Sequence, residues 1–180
     1  MDSQPTRLFQ DPREVLKTQL ASIAAGTASR LKETSITYRV SGGPPSKRLL
    51  LELRVSGTGV ATFQHSDELQ GKKITRARRT LPEDETRALF QQVYESGLLD
   101  QRDTGMGFLP DSVIGSISIE SDGAVITYHF LANEYQQTSQ RKEPSAPIQK
   151  LKPLLENLSE VVQKTPRTRT STKKEAKKRR

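Results

Sequence analysis

Cysteine is absent from this chain of 180 residues, which excludes a disulfide framework and any thiolate-ligated metal site. Histidine is nearly absent. His65 and His129 are the only two, no HExxH pair exists, and a catalytic zinc ordinarily draws on three protein ligands, so metal-dependent hydrolysis is not expected. No apolar run approaches the length that spans a bilayer. The opening MDSQPTRLFQDPREVL lacks a basic start followed by an apolar stretch, so it does not read as a secretory signal. These absences place the expected location inside the cell, in cytoplasm or nucleus.

The familiar chemical motifs are missing as well. SGGPP has no Lys-Ser/Thr pair after its glycines and GMGF opens no helix, so neither cradles a phosphate, and both read as turn chemistry. His65, Ser66 and Asp67 are adjacent along a strand exit, where successive side chains diverge, whereas a nucleophile, its base and its orienting acid must converge. The acids Glu83, Asp84 and Glu85 are explained by the positive end of a helix dipole. With no catalytic set and no cofactor fingerprint, the expectation is a protein that is not an enzyme.

What is present is a charge imbalance with an address. The whole chain has 29 Lys or Arg against 21 Asp or Glu, a net of +8. Its last seventeen residues, KTPRTRTSTKKEAKKRR, hold nine bases and one acid, leaving twenty of each sign in Met1 to Gln163. The body is therefore formally neutral. Interleaved Ser, Thr and Pro with a single Ala cannot build a core, so residues 164–180 are expected to be a disordered polybasic tail. Its Lys164, Arg167, Arg169, Lys173, Lys174, Lys177, Lys178, Arg179 and Arg180 are candidates for binding nucleic acid or an acidic surface. Without an aromatic to stack on bases, such contacts would be non-specific. KKEAKKRR also resembles a nuclear import signal.

The body alternates two periodicities. In DPREVLKTQLASIAAG, Asp11 can cap, Pro12 suits the first turn, Glu14 has capping-box spacing, Val15, Leu16, Leu20 and Ile23 share a face, and Gly26 ends the helix. From Ile36 the period falls to two through Val40, and again from Leu49 to Val55. A three-residue loop Gly57-Thr58-Gly59 with Gly59 left-handed sets Ser56 opposite Val60 and Leu53 opposite Phe63. ITRARRT reads as an exposed, charged edge strand. In TLPEDETRALFQQVYESG the spacing predicts Thr80 and Glu83 as a capping pair, a stripe of Leu89, Phe90, Val93 and Tyr94, and a stop at Gly97. Asp122-Gly123 specifies a two-residue hairpin that pairs Ile119 with Ile126 and Ile117 with Tyr128. Ile148, Leu151, Leu155, Leu158 and Val162 make a last helix, which Pro153 must either begin or bend.

The fold class expected is therefore α+β: an antiparallel sheet of about six strands with two to three helices, plus the basic tail. Residues 1–35 form an N-terminal extension with one amphipathic helix, 36–163 an interaction domain and 164–180 the tail. Within that domain the loop DTGMGFLPD offers Met106, Phe108 and Leu109 as partner contacts. The other reading folds Phe108 and Leu109 back over the core.

The succession YRVSGG, LPEDETRALFQQVYESG, PDSVIGSISIESDGAVITYHF and PIQKLKPLLENLSEVV, spanning about residues 36–162, resembles the emfourin family of small α+β proteins. Its members include inhibitors of thermolysin-like metalloproteases. The resemblance implies a non-catalytic protein that docks on a protein partner, and no inhibitory residue carries over by motif. The leading helix and basic tail are additions to that pattern. Two functions follow as expectations: a protein-binding module with electrostatic attachment through the tail, or a non-specific nucleic-acid binder with the tail as principal contact.

Overall fold

A computed structural model of the chain describes residues 11–27, 33–43, 49–67, 73–101, 112–132 and 144–164. Met106, Phe108, Leu109 and every tail base after Lys164 lie outside those residues. The described elements are α1 (Pro12–Ala24), β1 (Ser35–Gly42), β2 (Leu49–Ser56), β3 (Val60–Asp67), β4 (Lys73–Thr80), α2 (Glu83–Glu95), a short 3-10 turn (Leu98–Asp100), β5 (Val113–Ser121), β6 (Ala124–Leu131) and α3 (Ala146–Gln163). The fold is α+β.

Six strands form one antiparallel sheet in the order β4-β3-β2-β1-β5-β6. The first four make a meander. The chain then leaves β4, crosses through α2, and returns to pair β5 with the far side of β1. The expected registers hold. Leu53 pairs with Phe63, Ile117 with Tyr128 and Ile119 with Ile126. Gly59 has φ of +80° in the β2–β3 loop, and Asp122 and Gly123, at φ +51° and +78°, give the doubly left-handed turn whose twist matches a hairpin.

The buried apolar strand residues share one side of the pleat. Ile36, Tyr38, Leu53, Val55, Phe63, Ile117, Ile119, Tyr128 and Phe130 form a single cluster with apolar residues of the helices. Burial of each large side chain contributes about 1.5–3 kcal/mol, so this face is a major source of hydrophobic stabilisation. α1 packs over β5 and β6, α3 over β3 and β4, and α2 beside α1. Leu16, Leu20 and Ile23 belong to that cluster, so the helix expected in an N-terminal extension shares the core of the sheet domain.

Local chemistry explains the helix ends. The Asp11 carboxylate accepts from the Arg13 N–H at 2.9 Å, with Pro12 in the first turn. At the other end the Gly26 N–H donates to the Ile23 carbonyl and the Thr27 N–H to that of Ser22, both at 2.9 Å. That paired closure needs the left-handed residue that Gly26 supplies at φ +71°.

Two expectations about α2 are corrected. Thr80 is the last residue of β4, held opposite Val60, so it does not cap the helix; Pro82 takes the N-cap position and makes no side-chain bond. The strand ladder outcompeted the capping box. Tyr94 leaves the apolar stripe and is 44% exposed, while Leu89, Phe90 and Val93 are buried. In α3, Pro153 neither begins nor ends the helix but lies within it. It sits on the exposed side, where the carbonyl of Gln149, also exposed, is open to water in place of its missing donor.

Candidate interaction surface

The described helices all cover one face of the sheet and leave the other without a helix. Period-two alternation sends a second set of side chains to that outer face, and the strand registers align them in rows. From β4 to β6 one row reads Arg78, Thr62, Arg54, Thr37, Ser118 and Thr127. The adjacent row reads Arg76, Gln64, Glu52, Arg39, Ser116 and His129. A third, near Gly42 of β1 and Leu49 of β2, mixes apolar and hydroxyl groups: Ile74, Ser66, Leu50, Ser41, Ile114 and Leu131.

Four arginines thus face two glutamates, Glu52 and Glu120, on this surface. Arg54 Nη2 lies 3.2 Å from Glu120 Oε2, with both side chains about half exposed. Arg39, Arg76 and Arg78 are exposed. The Ser118 and Thr127 hydroxyls are 2.9 Å apart, so neighbouring strands tie their polar groups to one another. The opposite sign gathers on α2, which carries Glu83, Asp84, Glu85 and Glu95 with Arg87 as its one base. The neutral body is therefore polarised, basic on the bare sheet face and acidic on α2. The first-turn acids suit the dipole of that helix, as expected.

Lys164 is the one tail base that is described. It closes α3 as the C-cap, and its Nζ lies 3.2 Å from Glu160 Oε2, with both groups well exposed. The tail residues Arg167 to Arg180 follow this helix, which packs over β3 and β4.

The structure separates the two histidines. His65 lies on the inner face of β3 with its ring 6.5 Å from that of Phe63, whereas His129 is exposed on the outer face of β6. His65 and Ser66 point to opposite sides of the sheet, as strand alternation requires. Among the described residues no three metal-ligating side chains come together, and no helix is long and apolar enough to cross a membrane.

Other polar groups serve the fold. The Tyr38 hydroxyl donates to Glu156 Oε1 at 3.0 Å, fastening α3 to the sheet. Burial first, and then the Glu156 carboxylate, push this phenol well above its ordinary range. Lys17 bridges Asp100 at 2.7 Å and Glu14 at 3.3 Å, joining α1 to the 3-10 turn, and its pKa is raised chiefly by the Asp100 hydrogen bond. A cleft of about 360 Å³ lies between the end of α1, the start of α2 and the β2–β3 loop. Its polar groups are already engaged: Arg87 pairs with Glu83 at 2.7 Å, and the Thr86 hydroxyl donates to the Pro82 carbonyl at 2.9 Å.

Sequence reasoning found the arginines of β4 but missed Arg39 and Arg54. Each stands alone in an ordinary alternating strand, and only cross-strand registry aligns them with Arg76 and Arg78. No protein-family model matches the chain, and a search of the curated proteins finds no match either.

Proposed function

We propose that this chain is a non-catalytic binding protein that docks on an acidic protein partner through its bare sheet face, with the basic tail adding electrostatic attachment. The observation that carries this reading is the alignment of Arg39, Arg54, Arg76 and Arg78 in two adjacent rows of a face that no described helix covers. Guanidinium groups offer bidentate donors to carboxylates, and a sheet fixes their spacing without the entropy loss of ordering a loop. Long-range attraction by the nine tail bases would raise the encounter rate, while the face supplies geometry. The emfourin resemblance points to the same mode of action, docking without chemistry.

A second reading assigns the arginines and the tail to nucleic acid. It is favoured by the tail's composition, since a flexible polycation releases counterions on binding phosphates. The outer rows carry no Phe, Tyr or Trp to stack bases, which weighs against sequence-specific single-strand recognition.

Affinity capture from native extract, with and without nuclease, separates the two. Full-length protein, a version ending at Gln163, and Arg39→Glu with Arg54→Glu are compared. The expected result is a nuclease-resistant protein partner, weakened by truncation and lost with the face variant. Capture that vanishes with nuclease, with a log-log salt slope near −5 for about six phosphates, would replace the protein partner by nucleic acid.

A further inference from the structure

The two edges of the sheet differ in kind. β6, AVITYHFL, carries no Lys, Arg, Asp or Glu, whereas β4, KITRARRT, carries four bases and no acid. Among the described residues β4 has a single hydrogen-bonded strand neighbour, β3, and no other strand pairs with the backbone donors and acceptors on its other side. Charge on such an edge commonly prevents pairing, and lysine is the usual choice because its ammonium is compact and strongly hydrated.

Two details of β4 do not fit a plain guard. Three of its four bases are arginine, the cation suited to bidentate carboxylate pairing at interfaces. Ile74, on the same outward side as Arg76 and Arg78, is 50% exposed. An exposed β-branched residue on an edge strand favours strand pairing rather than opposing it.

We propose that β4 accepts one further strand from the protein partner, an extended acidic segment that adds to the sheet by backbone hydrogen bonding. This inference deepens the docking reading above and rests on it. Outward residues of β4 recur about every 6.8 Å as Ile74, Arg76 and Arg78, so the partner's side chains must match at the same step. An antiparallel partner meets them in the order Arg78, Arg76, Ile74. Its recognition pattern, read from N to C, is acid, any, acid, any, apolar. The two intervening residues turn inward beside Ala77 and Thr75, where α3 packing over β3 and β4 limits their size. The same charges that admit an acidic strand repel a second copy of β4, which keeps the edge from self-pairing.

The test uses the full chain and a short fluorescein-labelled peptide containing Glu-Thr-Glu-Thr-Val, read by fluorescence anisotropy. Three controls accompany it: a scrambled peptide of equal charge, a peptide N-methylated at the amides that face β4, and duplex DNA as unlabelled competitor. Variants are Arg76→Glu with Arg78→Glu, Arg78→Glu alone because Arg76 also has an interaction within the molecule, and Ile74→Ser. Circular dichroism melting checks that each is folded. The expected outcome is patterned peptide binding roughly tenfold tighter than scrambled, reduced to the scrambled level by N-methylation and by either arginine variant, and reduced a few-fold by Ile74→Ser.

Equal binding of patterned, scrambled and N-methylated peptides would overturn strand addition and leave only charge attraction. Duplex DNA that binds through Arg76 and Arg78, with no arginine-dependent peptide binding, would overturn it in favour of nucleic acid. If the peptide fails yet nuclease-resistant capture still depends on Arg39 and Arg54, strand addition falls and the docking reading stands. If capture becomes nuclease-sensitive as well, both fall.

Discussion

The two faces of the sheet are made from the same strands and do opposite things. On the inner face Ile117, Tyr128 and Phe130 are almost wholly buried; one residue along each strand, Ser118, Thr127 and His129 keep contact with solvent. The inner face is constrained by packing, where a methyl group is felt. The outer face is less tightly constrained, so substitutions there should change stability less. Close packing and solvent exposure are thereby separated by a single alternation of the backbone.

The largest test of this separation is Phe130→Ala. Phe130 is 1% exposed and its ring stacks against Tyr38 with centroids 6.4 Å apart, so truncation should cost about 3–5 kcal/mol in urea unfolding. His129→Ala, its exposed neighbour on the other face, should cost no more than about 1 kcal/mol even with the loss of its own interaction. Comparable losses from the two would erase the distinction between the faces.

A smaller effect is expected at Gly115. It lies on the inner face opposite Phe130 and Val40, and a Cβ added there would overlap the Phe130 ring. Gly115→Ala should therefore destabilise by about 1–3 kcal/mol despite adding a better strand former. Ser116→Ala, next in sequence but outward, should be nearly neutral. A thermal shift in Gly115→Ala that Phe130→Leu relieves would sharpen the assignment to steric overlap.

Tyr38 carries a polar tip from the inner face to Glu156, and Tyr38→Phe should cost about 1 kcal/mol. That value is below the usual range for a bond to a charged acceptor because Glu156 is about half exposed and regains water. The pH dependence has a definite sign. The folded phenol keeps its proton above the pH at which an unfolded tyrosine ionises, near 10, so the unfolded state binds fewer protons and stability falls as pH rises past that value. Below it, the full contribution is present. In Tyr38→Phe this alkaline component should disappear, measured by urea unfolding between neutral pH and strongly alkaline buffer.

Much of this architecture is legible in the residues. Asp122-Gly123 and Gly57-Thr58-Gly59 fix strand registers because few conformations satisfy both the turn and the apolar face. The misses have one physical source, the competition of tertiary structure with local preference. Thr80 satisfies a capping pattern, yet pairing with Val60 claims its backbone first. Tyr94 follows the helical repeat from Phe90, yet it falls at the rim of a shallow groove beside α1, lined by Glu14, Lys17 and Ala21. The basic edge was visible because its arginines lie in one strand. The arginine rows were not, since Arg39 and Arg76 come to share a row only through three successive strand pairings.

The smallest effect belongs to the outer face, and its smallness is the point. Arg54 and Glu120 come from β2 and β5, on either side of β1, and meet at 3.2 Å with exposures of 55% and 46%. Water screens the attraction, and ordering two long side chains offsets part of it. A double-mutant cycle through Arg54→Ala, Glu120→Ala and the pair should return a coupling of roughly 0.2–1 kcal/mol, shrinking as salt rises from 0.05 to about 0.5 M. In contrast, Glu120→Ala frees the Arg54 guanidinium, so binding of an acidic partner should strengthen even as stability slips slightly. A coupling of several kcal/mol, insensitive to salt, would mean that the pair is desolvated and that something covers this face in the folded chain.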